Sequence, residues 1–402
     1  GISREKKSLG YSQQTVAGDV IAQSKQVDLN VALTGKVAGV QMIGGSSSTF
    51  DQGFLRLRGE SDVLYVVDGI KILCVCDINV DNIASISVLK GAAATALYGA
   101  DAKSGVIVIT SKTAKAGETS FEVNHSTSIS SVSLLPNYQN EYGGGYYTSW
   151  DTFAYNPNTD PAEWAAFNGQ LIPYYAADES WGPKLDGTLV RHWDSWIPGT
   201  PNFGELRAWS PTKNDIDSFY DVSITQNASI AFNKADENYS IRTALSYIDQ
   251  NGVVPNSKKE QVRININTKY NVTDKLEFYA NINYENRYLL NNPDQNYGNL
   301  GSNFNQWWQR QLDFTRLRNY EQGGQIVSWN INGPRDASPL YWDMPYFHSY
   351  ENFKNQYKNS VYGKVGANYT VNDNIKVMAE FRRTFASYAT DDRGTTKSLL
   401  DT

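Results

Sequence analysis

Residues 77–112 read DINVDNIASISVLKGAAATALYGADAKSGVIVITSK, and this stretch decides the fold. Asp77 and Asn79 have side chains suited to cap a short helical turn, after which Val80 to Ile83 lead into a strand at Ser85–Leu89. Gly91 closes that strand and opens Ala92–Tyr98, where four alanines and a leucine favour helix. Gly99 stops the helix, because a residue without Cβ adopts the left-handed conformation at a helix end. Gly105 then introduces Val106–Thr110, a β-branched strand apolar on both sides and therefore buried on both. Upstream, Leu64–Val67 forms another short strand, and the Asp68-Gly69 pair behind it is a hairpin signal. Arg56 and Arg58 flank Leu57 in a further alternating stretch. Residues 1–115 thus read as a small mixed α+β unit.

Beyond Lys115 the hydrophobic period becomes two. Val222, Ile224, Ala228, Ile230 and Phe232 alternate with Ser223, Thr225, Asn227 and Ser229. Val262, Ile264 and Ile266 alternate with Arg263, Asn265 and Asn267, and Leu276, Phe278, Ala280, Ile282 and Tyr284 with Glu277, Tyr279, Asn281, Asn283 and Glu285. Val361, Val365, Ala367 and Tyr369, then Ile375, Val377, Ala379 and Phe381, continue the pattern. Each strand offers one apolar and one polar face. Alternation alone does not separate a lipid-facing strand from one in a soluble sandwich, but the links do. Those at 233–238, 271–274 and 372–374 are short, while 134–219 and 291–356 are long. A sandwich has turns of similar length at both ends; an outer-membrane barrel has short turns at one end and long loops at the other. About seven strands are expected between Glu118 and Tyr388, too few to surround a folded domain.

The strings LRLRG (55–59), LYVVDG (64–69), DINVDNIASISVLKGAAATALYG (77–99) and GVIVITSK (105–112) resemble the plug of TonB-dependent outer-membrane transporters. REKKSLGYSQQTV (4–16), LTGKVAGVQ (33–41) and SPLYWDMPYF (338–347) resemble the SusC/RagA-like branch of Bacteroidetes. The resemblance implies a membrane all-β fold, a TonB-dependent receptor-type transmembrane β-barrel of ~22 strands with an N-terminal mixed α+β plug. Residues 1–115 would be the plug, and 116–402 the N-terminal part of the barrel, about a third of its strands, with long extracellular loops. The implied function is SusC-like import of oligosaccharides or oligopeptides across the outer membrane under a SusD-like surface lipoprotein, energised by the TonB-ExbB-ExbD complex. The alternative is a non-transporting structural subunit of a larger secretion or barrel-insertion assembly. The plug-motif positions are Arg56, Arg58, Gly59, Asp68, Gly69, Lys90, Gly91, Tyr98, Gly99 and Gly105, with Arg56 and Arg58 expected at the plug–wall boundary. Two stretches, Gly59 to Leu64 and Gly69 to Asp77, are shorter than in the family pattern. By the same resemblance, the sequence starts where the family's TonB-contacting segment would just have ended.

Composition agrees with a barrel. Among 402 residues, 40% are apolar and 19% charged, and the 26 Tyr, 10 Trp and 15 Phe suit interfacial aromatic girdles. No apolar run approaches the length of a membrane-spanning helix or a signal-peptide core. Net charge is −6 with no basic stripe, which argues against nucleic acid as a partner. Neither a P-loop nor a G-x-S-x-G elbow occurs, so no enzyme is expected. Asp151, Asp160, Glu163 and Asp194 lie in an aromatic-rich loop and could be imagined as glycosidase carboxylates, but no scaffold holds two of them. Cys74 and Cys76, the only cysteines, have the wrong spacing for a zinc knuckle and read as thiols without chemistry. No metal or cofactor signature is present. The loop at 134–219 contains Trp150, Trp164, Trp181, Trp193, Trp196 and Trp209, which fit either ligand or partner contact or packing of the loop on itself.

Overall fold

The computed structural model describes residues 13–43, 50, 53–72, 74–75, 78–90, 92–293, 300–398 and 400. Its first part is built on a five-stranded sheet. β1 (Gln13–Ala17) leads into α1 (Gly18–Ala22) and α2 (Leu29–Leu33), and β2 (Val40–Ile43) pairs with β3 (Phe54–Leu57) as a separate hairpin. β4 (Leu64–Val67), β5 (Ile70–Lys71), β6 (Ile83–Leu89), α3 (Ala92–Tyr98) and β7 (Val106–Ser111) follow. The sheet order is β1-β6-β7-β4-β5, with β4 and β7 parallel and the other pairs antiparallel. β7 is the central strand, and Val106, Ile107 and Ile109 are buried as a strand covered on both faces must be.

The local signals act as expected. Asn79 accepts from Asp81 N at 3.0 Å and caps a 3-10 turn at Val80–Asn82. α3 occupies Ala92–Tyr98, and Gly99 follows with φ +75°. Asp68 and Gly69 both have positive φ, 48° and 86°, the geometry of a two-residue hairpin turn, so Val67 pairs with Ile70. Asp77 and Gly91 lie outside the described residues.

Among the described residues, the second part is a seven-stranded antiparallel sheet: β8 (Thr119–Ser130), β9 (Ser223–Ala235), β10 (Tyr239–Asn251), β11 (Lys258–Thr273), β12 (Leu276–Leu290), β13 (Phe353–Asn372) and β14 (Ile375–Arg393). Each strand pairs with the next in sequence. The short turns at 236–238, 274–275 and 373–374 all fall at one end, where the plug sheet also enters through 112–118. The connections 131–222, 252–257 and 291–352 fall at the other. Strands of 12 to 20 residues exceed the ~9–11 needed to cross a bilayer. No described helix is long and apolar enough to cross a membrane, which says nothing about strands.

The polarity of this sheet is inverted relative to a soluble one. Lys259, Gln261, Arg263, Asn265 and Asn267 of β11 and Asn281, Asn283 and Glu285 of β12 are buried, on the face turned to the plug. Leu245, Tyr247, Phe278, Ile282, Val361 and Val365, on the other face, are 39–49% exposed. A sheet that buries asparagine and exposes isoleucine fits hydrocarbon outside and a polar filling inside.

Candidate functional site

The plug meets the inner face of the wall along a seam of single hydrogen bonds. Asn281 Nδ2 donates to Asp68 Oδ2 at 2.9 Å, Asn267 Nδ2 to the Lys112 carbonyl at 3.1 Å, and Arg242 Nη2 to Asn82 Oδ1 at 3.2 Å. Arg382 Nη1 donates to the Gly69 carbonyl at 3.0 Å and Thr384 Oγ1 to the Lys71 carbonyl at 3.2 Å. Tyr362 of β13 is the one wall side chain among the buried residues of the plug's main apolar core. The hydrogen bonds of this seam are polar contacts, and polar contacts exchange with water at little net cost.

On the wall side the seam rests on a closed ring of amides. Asn265 donates to Asn283 at 2.6 Å, Asn283 to Asn281 at 2.7 Å, Asn281 to Asn267, and Asn267 back to Asn265 at 3.4 Å. The cross-strand register, Asn265 opposite Asn283 and Asn267 opposite Asn281, sets the ring. On the plug side, Asp68 uses Oδ1 to accept from Ser111 N at 3.0 Å and so ties β4 to β7 while Oδ2 faces the wall. A cavity of about 410 Å³ opens beside this node at the short-turn end, lined by Asp68, Thr113, Asp236, Asn267, Lys269 and Asn281.

The other plug-motif positions serve the plug itself. Gly105 has φ +109°, and a Cβ there would run into Leu57 and lie 3.0 Å from the Leu89 carbonyl. Lys90 Nζ donates to the Ala38 carbonyl at 2.6 Å, and Tyr98 packs against a small cluster of Val66, Leu89, Ala94, Ala102 and Val106. Arg58 and Gly59 form the turn after β3, both at positive φ. Arg56 and Arg58, the candidates for wall contacts or solvated strand charges, lie on β3 and in the turn after it, and among the described residues neither forms an ion pair. The plug groups that bond to the wall are those of Asp68, Gly69, Lys71, Asn82 and Lys112. Cys74 is disulfide-bonded, which corrects the reading of the cysteines as thiols without chemistry. Cys76 lies outside the described residues.

The two long connections fold together above the wall. Their shared core includes Phe153, Trp164, Phe167, Trp193 and Trp196 from the first and Trp308, Phe314, Trp329, Met344 and Phe347 from the second. Trp196 lies centrally, with ring centroids of Phe153 at 4.8 Å and Trp164 at 5.1 Å. Of the six loop tryptophans expected as contact residues, Trp164, Trp193, Trp196 and Trp209 are buried, so packing of the loop on itself accounts for them. Trp150 is half-buried and stands edge-on to Trp209 at 5.4 Å. Only Trp181, 72% exposed, is presented to solvent.

Three arginines of the second connection each hold an aspartate of the first. Arg335 clamps Asp160 through Nε at 2.6 Å and Nη2 at 2.7 Å. Arg316 Nη1 donates to Asp194 Oδ2 at 2.8 Å, and Arg310 grips Asp215 with both terminal nitrogens, one at 3.0 Å. The hydrogen bond from Arg335 holds Asp160 down at about 2, and burial, with Arg207 and Arg316 beside it, keeps His192 neutral. Asp194 also binds Arg207, and Asp151 accepts from Tyr147 OH at 2.8 Å. These carboxylates are therefore engaged in structure. The arginine partners were not legible in the sequence, since they lie 95 to 175 residues from their aspartates.

Residues 5–106 match the family model for the TonB-dependent Receptor Plug Domain. The chain is 27% identical over 304 residues to the TonB-dependent receptor SusC of Bacteroides thetaiotaomicron, covering 71% of this chain and 26% of that protein. The chain is thus similar to the SusC/RagA-like TonB-dependent receptors. A TonB-dependent receptor of Formosa agariphila is also 27% identical, over 294 residues, covering 70% of this chain and 26% of that protein. A structure titled the RagAB peptide importer in the 'open-open' state superposes with a TM-score of 0.68 at 18% identity, over 97% of this chain and 42% of that one. The SusC/RagA-like chain thus spans about a quarter of the length of the curated relatives it matches. TonB-dependent receptors are outer-membrane β-barrel proteins.

Proposed function

We propose that this chain supplies the plug, at residues 1–115, and the first wall strands, within 116–402, of an importer in the outer membrane. The protein moves an oligosaccharide or oligopeptide inward, beneath a SusD-like lipoprotein and under energy from TonB-ExbB-ExbD, and performs no catalysis itself. The observation behind this reading is the seam. A folded plug is held to a polar inner wall by single hydrogen bonds, strong enough together to close the lumen and weak enough one by one to yield to a pull. The buried Trp and Arg–Asp core above it makes the loops a firm platform on which a lid can rest.

The reading is tested by purifying the full-length protein in mild detergent from its membrane and identifying co-purifying chains and small molecules by mass spectrometry, alongside nutrient uptake with and without a protonophore. A lipoprotein partner, a bound glycan or peptide, and uptake that stops with the protonophore are expected. Several stable further subunits, no ligand, and unchanged nutrient uptake in a deletion strain would replace import with the structural role.

A further inference from the structure

The first long connection carries an aromatic face that is left open to solvent. Tyr146, Tyr147 and Tyr174 are 37–47% exposed, and the Tyr174 ring contacts both others, with centroids at 5.5 and 5.6 Å. The backbone brings these residues together. Gly145 N donates to the Glu179 carbonyl at 3.0 Å and Trp181 N to the Gly145 carbonyl at 3.0 Å, and a Cβ on Gly182 would run into the Gly144 carbonyl. Exposed Tyr341, from the second connection, is near enough for its hydroxyl to bear on that of Tyr146. The support is firm, since Ser180 Oγ donates to the Trp308 carbonyl at 2.9 Å and Gln309 Nε2 to the Ala177 carbonyl at 2.6 Å.

The acids in this face differ from Asp160, Asp194 and Asp215, which are each held by arginine. Asp151, Asp178 and Glu179 form no ion pair among the described residues. Asp151 accepts from Tyr147 OH at 2.8 Å and buried Asp178 from Trp342 Nε1 at 2.7 Å, bonds that fix two rings and leave the negative charge in place. Glu179 Oε2 is out of water and has no hydrogen-bond donor among the described residues. Burial and the adjacent Asp178 raise Glu179, and burial with Glu179 and Asp178 beside it raises Tyr146. The local field is therefore negative, and a positive group that donates to Glu179 would relieve it. Tyrosine rings offer such a group their negative faces. Among the described residues no cluster of three acids, histidines or cysteines could hold a metal ion, so the fit is to an organic cation.

We propose that Tyr146, Tyr147, Tyr174 and Glu179 form a subsite for the guanidinium or ammonium group of an arginine or lysine side chain in a transported oligopeptide. The inference rests on the import reading and narrows its substrate to basic peptides. A neutral saccharide would stack on the rings but leave the charge unmatched.

The test is calorimetric titration of the full-length receptor in detergent with triarginine, trilysine, trialanine and maltotriose, at physiological salt, where long-range attraction to an acidic protein is screened. At least one cationic probe is expected to bind about 10-fold or more tightly than trialanine. The preference should shrink about 3-fold or more in Glu179→Gln, an isosteric change that spares the fold, and in Tyr174→Leu, and persist in Tyr174→Phe, which keeps the ring. Equal affinity for cationic and neutral probes, tightest binding of maltotriose, or a preference that survives both Glu179→Gln and Tyr174→Leu overturns the subsite. Uptake measured in parallel separates the two claims: a cationic probe that binds with the preference but is never imported contradicts the import reading alone, while import of neutral and cationic tripeptides alike with no binding preference contradicts the subsite alone.

Discussion

The wall strands and the loop unit bury different things although they are one continuous chain. In β11 and β12 the protected positions are Asn265, Asn267, Asn281, Asn283 and Glu285, while Phe278 and Ile282 face outward. In the loop unit the protected positions are Trp196, Phe314, Trp329 and Phe347. The loop unit behaves as a water-soluble domain, with apolar surface removed from water as its main stabilisation. The wall cannot be stabilised in that way, because its apolar side has no protein to cover it; it is ordered by the ladders and by side-chain amides that bond to one another and to the plug. Where residues of the two regions look alike in the sequence, the medium each meets decides which way they point.

The comparison breaks most visibly at Trp196. Trp196→Ala removes the ring at the centre of the aromatic core and should cost about 3–5 kcal/mol, seen as protease nicking within 131–222 and 291–352 while heat-modifiable barrel mobility on gels is kept. Nicking no faster than in the parent protein would mean that the loops are not held by that core. Ile282→Arg should cost about 2–4 kcal/mol if the position faces the bilayer interior, read as reduced insertion of the full-length protein into vesicles. Asn281→Ala removes the hydrogen bond to Asp68 and opens the amide ring, a loss of about 1–2 kcal/mol. Its consequence should be a rise in passive conductance of the full-length protein in planar bilayers with the plug still folded; unchanged conductance would show that the seam does not close the lumen at Asp68.

The smallest expected effect is a pH step in the loop unit. Asp160 sits at about 2 in the folded protein through its hydrogen bond with Arg335, below the ~3.9 of a free aspartate. The depressed value means that its stabilisation is fully present above pH ~4 and is lost as pH falls toward 2. Tryptophan fluorescence of the parent protein should change over that window, and Arg335→Ala should remove the Asp160 part of the change. An identical acid transition in both proteins would show that the clamp does not hold the two connections together.

The plug was legible because its signals are local. Gly99 ends α3, and Asp68-Gly69 fixes a turn, all within a few residues. The seven wall strands were legible because period two persists over whole strands. What the plug touches was not: Asp68 meets Asn281, 213 positions away, and nothing in LYVVDG distinguishes it from a turn open to water. The fate of the loop tryptophans was hidden for a related reason, since aromatic residues without a period give no direction, and Trp164 and Trp196 are buried through ring contacts with each other and with Phe153 and Phe167. Strand ends were also extended by tertiary pairing, as where Asn233–Ala235 continues β9 through hydrogen bonds to Glu118 and β8 instead of entering the turn.

The central claim is that the two faces of the wall meet different media. Spin labels placed singly at residues 278 to 283 of the full-length protein in bilayers measure it directly, through accessibility to oxygen and to a water-soluble nickel chelate. Labels at 278, 280 and 282 should be reached by oxygen and shielded from nickel, while labels at 279, 281 and 283 should be shielded from oxygen. Nickel accessibility without a two-residue alternation would contradict the account.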